Sequence, residues 1–352
     1  MADGSRTAKS SQHGSAAFLP VLLVGLLVLI VISLCVGRYP ISPVTALRIV
    51  WSGIVQSNSA VVAWTETEAV IVNTVRLPRV LVAVIAGAGL GVSGAALQGL
   101  FRNPLVGPQV IGISTGAAWG GVVAILFGAQ FFGAVAWAFA FAMVALLSVF
   151  AFSRLSRNSN VLSVVLAGIV VSAHFSALIG LAEFFADAES QLPGIVYWLL
   201  GSFASVSAKS LIVIAAPTFI AGTLLLLLRW RINVLSLGDA DAATLGMNVQ
   251  RLRWVVLCLV TLIVAAQVTV SGVIGWVGLV VPHLARRLVG PNHQVLLPAS
   301  ALVGALYLLG MDDIARSIAE QELPIGVLTA LAGTPVFAIV FWRSQGRGWA
   351  GE

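Results

Sequence analysis

Apolar runs bounded by short polar clusters fall near 17–36, 77–98, 108–127, 133–152, 161–185, 211–228, 254–273, 274–289, 295–312 and 324–343. A helix of about 20 such residues crosses the hydrocarbon core of a bilayer. The pattern therefore predicts an all-α polytopic membrane protein of ten transmembrane helices. From Val255 to Ala285 there is no Asp, Glu, Lys or Arg, yet Gly272, Gly275, Gly278 and Pro282 interrupt the run. That length is too great for one helix and too short for two, so a full span followed by a short, broken one is expected.

Polar segments frame these runs. Residues 1–16 are read as a cytoplasmic N-terminal tail, 17–343 as the ten-span domain and 344–352 as a cytoplasmic C-terminal tail. Residues 229–253 form the longest polar insertion. Its core, Leu235 to Gly246, reads as one or two short amphipathic helices, with Gly238 breaking the chain, Asp239 and Asp241 at a helix start and Gly246 as a cap. A connector needs only a few residues, so an ordered one invites a docking role.

Composition agrees with the pattern. Of 352 residues 59% are apolar and 9% charged, against about 25% charged in soluble domains; mean hydropathy is +1.03. The net charge of +6 would suggest nucleic acid in a soluble protein, but inner loops of membrane proteins carry excess Arg and Lys. With both termini inside, thirteen cations lie on inner segments, and Arg38, Arg48, Arg76, Arg79, Lys209 and Arg316 lie outside. Short echoes (Val92-Ser93-Gly94 with Leu105 to Pro108, and Val270-Ser271-Gly272 with Leu288 to Pro291) hint at an inverted repeat of two five-helix halves.

Small residues recur at helical spacing at Gly87, Gly91, Ala95 and Gly99, and again at Gly112, Gly116 and Gly120. Such faces let helix backbones approach closely in lipid. They indicate packing, not chemistry. No lysine follows a glycine, so the phosphate-binding GxxxxGK[ST] pattern is absent, and the chain is expected to be no enzyme. His13, His174, His283 and His293 have no metal-ligand spacing. His174 reads either as a path-lining residue or as a satisfied interior histidine. Asp312, Asp313 and Glu183 would be the groups of an ion-driven secondary transporter, though the membrane-edge position of the aspartates equally suits helix-end anchoring.

Several motifs carry a resemblance. Arg76-Leu77-Pro78-Arg79, Gly87…Ser93-Gly94…Gln98, Asn103-Pro104-Leu105 and Gly112-Ile113-Ser114-Thr115-Gly116 resemble the FecCD family of permeases. So do Leu237-Gly238…Leu245-Gly246, Gly278 to His283, Glu322 to Gly326 and Gly333 to Val336. In place of the Ala-Asp-Pro or Ala-Glu-Pro common in that family, this chain has Val106-Gly107-Pro108.

The resemblance implies a type II ABC importer permease in the bacterial inner membrane. Two such subunits, as homodimer or paralogous heterodimer, would work with two cytoplasmic ABC ATPase subunits, which bind the ATP. A periplasmic or lipid-anchored substrate-binding protein would deliver a ferric siderophore, with haem or cobalamin as alternatives; no cofactor of its own is implied. Matching motifs assign ATPase coupling to Gly238, Asp239, Leu245 and Gly246, and binding-protein docking to Arg76, Arg79 and Arg316, for which headgroup phosphates or pairing with nearby Glu320 or Glu322 are the alternative. They assign a cytoplasmic gate to Asn103 and Leu105 with Asn160 or Val161. Gln98, Ser114, Thr115 and His174 are read as the translocation path, with Gln267 as a further polar residue there.

Overall fold

The computed structural model describes residues 17–55, 64–155 and 161–345. The expected tails before residue 17 and after residue 345 lie outside it.

Each of the ten expected spans coincides with a helix. They are α1 (Phe18–Cys35), α3 (Glu66–Phe101), α4 (Ile113–Leu126), α5 (Phe131–Leu155), α6 (Val161–Phe185), α8 (Ala208–Leu227), α11 (Val249–Ser271), α12 (Val277–Val289), α13 (His293–Ala315) and α14 (Ile325–Gln345). Among the described residues seven of these are long and apolar enough to cross a membrane, whereas α4 and α12 have only 14 and 13 residues. Two further helices were not anticipated: α2 (Pro43–Val55) and α7 (Leu192–Leu200). The polar insertion contributes α9 (Arg229–Leu235) and α10 (Asp239–Thr244).

The core is built around α3. It opens on a capping box, in which Glu68 N–H donates to Thr65 Oγ1 (3.2 Å) and Thr65 N–H to Glu68 Oε2 (2.7 Å). A π-helical turn at Ile71–Arg76 then widens the coil before it continues to Phe101. Helices α8, α11, α12 and α13 surround it. The glycine ladder is the reason they fit. Gly87 meets the backbone of Gly304, Gly91 that of Ser300, and Gly99 the ring of His293. Along α3 the contacts rise while along α13 they fall, so the two helices run antiparallel. The second ladder does the same for α4, with Gly116 and Gly120 against the α5 backbone at Phe141 and Trp137.

Backbone contact of this kind has a testable cost. A Cβ at Gly87 would lie 2.2 Å from the Gly304 carbonyl oxygen, and neither backbone can yield without separating the helices. Gly87→Val is expected to destabilise the protein by about 3 kcal/mol, the upper end of overpacking, read as a lowered melting temperature in detergent. An unchanged melt would show that α3 and α13 do not pack backbone to backbone.

Two of the irregular segments between helices lie near the centre of the chain's packing around α3 and α12. After α3 the chain turns at Arg102 (φ 48°) and Asn103, whose Oδ1 accepts from Leu105 N–H at 2.8 Å. After α11 it turns at Gly272 (φ 66°) and Trp276 (φ 67°), where α12 begins. This is the broken span expected from the uncharged run. Its polar backbone is satisfied internally: Gln267 Nε2 donates to Gly272 O (3.1 Å), and Ser202 N–H to Ser271 O (2.8 Å), as irregular backbone in an apolar body requires. The echoed motifs do not occupy matching places. Gly94 sits inside α3 against the Gly278 carbonyl, whereas Gly272 ends α11.

Candidate functional site

The connector α9–α10 leaves α8 directly. Ile232, Val234 and Leu235 turn inward and are buried, with Ile232 against Gly99 of α3. Gly238 precedes α10, whose first residue, Asp239, accepts from Arg253 Nη2 at 3.0 Å and lies 3.9 Å from Arg102. Arg253 is 2% exposed, so this carboxylate fixes α10 to the base of α11. At the other end Gly246 (φ 75°) supplies the left-handed cap. Held at both ends, the connector exposes three large apolar side chains, Trp230 (51%) on α9 and Leu237 (70%) and Leu245 (62%) beside α10. The sequence located this element and its glycine turns. It did not show that Asp239 is engaged within the chain.

Of the expected gate residues, Asn103 and Leu105 are exposed on the segment after α3. Val161 starts α6, and Asn160 lies outside the described residues. His283, which the sequence left without a role, ties this segment to α12, its Nε2 lying 3.0 Å from Pro104 O.

The expected path residues separate into different environments. Gln98 is buried; it donates to Leu279 O (3.2 Å) and accepts from Arg286 Nη2 (3.2 Å). It is therefore a clamp between α3 and α12, not a free lining residue, and Gln267 likewise closes the end of α11. Thr115 donates to Gly112 O at 2.9 Å within its own first turn. His174 is exposed on α6 beside the ring of Phe175, so it is not the satisfied interior histidine weighed from sequence. Ser114 alone is both buried and turned to a cavity, one of about 120 Å³.

Arg76, Arg79 and Arg316 do come together, at the far end of the bundle from α9 and α10, but not as exposed cations. Each is at most 7% exposed. Arg76 donates to the carbonyls of Leu34 (2.7 Å), Cys35 (3.0 Å) and Tyr39, capping the end of α1. Arg79 grips Asp312 (Nε–Oδ1 3.0 Å, Nη2–Oδ1 2.9 Å) and Glu322 (2.8 Å). Arg316 donates to Ser33 O (2.6 Å) and to Asp313, which also accepts from Ser33 Oγ (2.5 Å). Carbonyls and carboxylates of the same chain already hold these arginines, and the pairing with Glu322 weighed as the alternative is present at Arg79. Asp312, fully buried in the same network, is a counter-ion to Arg79.

This arrangement has counterparts among known proteins. Residues 25–343 match the FecCD transport family. The chain is 43% identical over 328 residues to the molybdate import system permease protein MolB of Haemophilus influenzae, covering 92% of this chain and 96% of that protein. It is also 43% identical over 283 residues to an iron chelatin transport system permease protein of Helicobacter pylori, covering 79% and 84%. A solved structure described as an inward-facing conformation of a metal-chelate type ABC transporter superposes with a TM-score of 0.83 at 42% identity, over 93% of this chain and 99% of that one. With the match running through nearly every helix described above, the chain belongs to the FecCD transport family.

Proposed function

We propose that this chain is the membrane-spanning subunit of an ATP-driven importer for a metal-containing cargo. The observation that carries the reading is the ordered α9–α10 connector, which holds Leu237 and Leu245 outward as apolar anchors for a partner. Two ABC ATPase subunits would dock there, on the cytoplasmic side. A second permease subunit would complete the path, and a binding protein would deliver cargo at the opposite end. All ten helices would cross the inner membrane, with both termini in the cytoplasm, as the distribution of Arg and Lys supports.

Leu105, 43% exposed beside the Asn103 turn, would form the inner constriction with the start of α6. At the outer end, carboxylates of the binding protein would have to displace Glu322, whose side chain is 33% exposed, to reach Arg79. Docking there would be an exchange of partners. The cargo is proposed as a ferric chelate or a metal oxyanion, the two kinds named for the relatives above.

Reconstitution tests this. The permease in proteoliposomes, combined with an ABC ATPase and a binding protein from its own organism, is expected to take up ferric siderophore or molybdate only when ATP and binding protein are both present. Uptake driven by a proton gradient without ATP would establish a secondary transporter instead.

A further inference from the structure

Two half-length helices begin at the same small cavity. The first turn of α4 contributes Ser114, and the first turn of α12 contributes Gly278 and, at its cap, Trp276; Gly107, Pro108 and Gln109 from the irregular segment and apolar side chains such as Leu90 and Ile274 complete the lining of a space of about 120 Å³. Neither helix has a side-chain cap at this end. At α4 the first three amides, Ile113 to Thr115, lack acceptors; at α12 Gly275 O takes Val277 N–H (2.8 Å) and Trp276 O takes Leu279 N–H (3.0 Å), which leaves Gly278 N–H, and each N-terminus carries roughly half a positive charge. Ser114 is 6% exposed, lines the cavity and has no hydrogen-bond partner within the chain. The wall holds no carboxylate. The Gln109 main-chain carbonyl on that wall is already taken by Gly112 N–H and Ser172 Oγ, each at 3.3 Å.

We propose that this cavity is a binding station for a tetrahedral oxyanion, held by the Ser114 hydroxyl and the opposed N-termini of α4 and α12. Size points the same way. At about 120 Å³ the cavity suits a small anion and is far smaller than the several hundred Å³ of a pocket for a larger organic ligand. Gly278 makes the approach of the two elements possible, since a Cβ there would lie 2.8 Å from Pro108 Cδ. Leu105, which would form the proposed constriction, lines the same cavity, so an anion released here would stand next to the exit. A site of two partial charges and one hydroxyl binds weakly, as a station on a path must if its occupant is to leave.

The purpose of the station rests on the import reading, but its chemistry does not. The test therefore uses the full-length permease alone, in nanodiscs at low salt, with tungstate as probe, by equilibrium dialysis with elemental detection. Saturable binding of one tungstate per chain is expected. Ser114→Ala should weaken it about tenfold, the size of one hydrogen bond to a charged ligand. Gly107→Asp should abolish it by placing a carboxylate in the cavity, while Gly107→Ala, for which the nearest atoms are 3.9 Å away, should retain it. Melting temperatures of the variants separate loss of the site from loss of the fold. No saturable binding by the parent protein, or binding equally strong in Gly107→Asp, overturns the proposal and leaves ATP-driven import to its own test.

Discussion

Leu245→Asp is expected to abolish ATP-driven uptake while leaving the permease folded in the membrane. Leu245 stands 62% exposed at the end of α10, so the isolated chain loses almost nothing when it is changed; surface substitutions of this kind stay within about 0.5 kcal/mol. In the assembled importer the same position would be covered by the ATPase. Burying a leucine contributes about 1.5–3 kcal/mol, and an aspartate there would bury an unpaired charge. A loss above 2 kcal/mol, the range of an interface hot spot, weakens ATPase association by roughly thirtyfold or more. Co-purification of the ATPase with the permease, together with uptake, measures both effects. Normal uptake by this variant would take the connector out of the mechanism.

The second large effect concerns stability. Asp312→Ala leaves Arg79 buried beside half of its partners, and breaking a buried pair in this way costs about 3–5 kcal/mol. Glu322, partly exposed on the other side of Arg79, should matter far less, about 1 kcal/mol or under when replaced by alanine. The paired change Arg79→Leu with Asp312→Leu removes both charges and should recover much of the loss, because the penalty lies in the orphaned ion. Thermal unfolding in detergent of the three variants gives the comparison. A melt for Asp312→Ala equal to that of the parent would mean that the pair contributes nothing to the fold.

Apolar run length located the helices well because the bilayer fixes how long a span must be. The helices it missed are those that length does not select. Helix α7 has nine residues with Pro193 and Gly194 at its start, and read simply as part of a connection. The glycine ladders disclosed which faces of α3 and α4 pack closely. They could not disclose the partners, since periodicity carries a direction on one helix and no information about its neighbour. The arginines show the same limit in electrostatic form. As exceptions to the charge rule Arg76, Arg79 and Arg316 were conspicuous, yet the groups that satisfy them lie on or just after α1 and α13, and a guanidinium looks the same in sequence whether it faces water or the Asp312 carboxylate. Ser114 was named with Gln98, Thr115 and His174 on motif alone. Only the fold shows that the other three are engaged or face outward, while its hydroxyl has no partner.

The antiparallel pair α3–α13 also constrains how the molecule can move. Where Gly87 and Gly91 meet Gly304 and Ser300 there are no side chains between the backbones to bend or roll over one another. A small slide would drive carbonyls together, and the next position that fits lies a full four residues along, about 6 Å away. The pair is thus a keel, carried through any opening and closing as a single body. Helix α8 meets this pair through side chains, as where Thr218 lies against Gly89, and a motion of the transport cycle would have to use contacts of that kind, against a centre that does not flex.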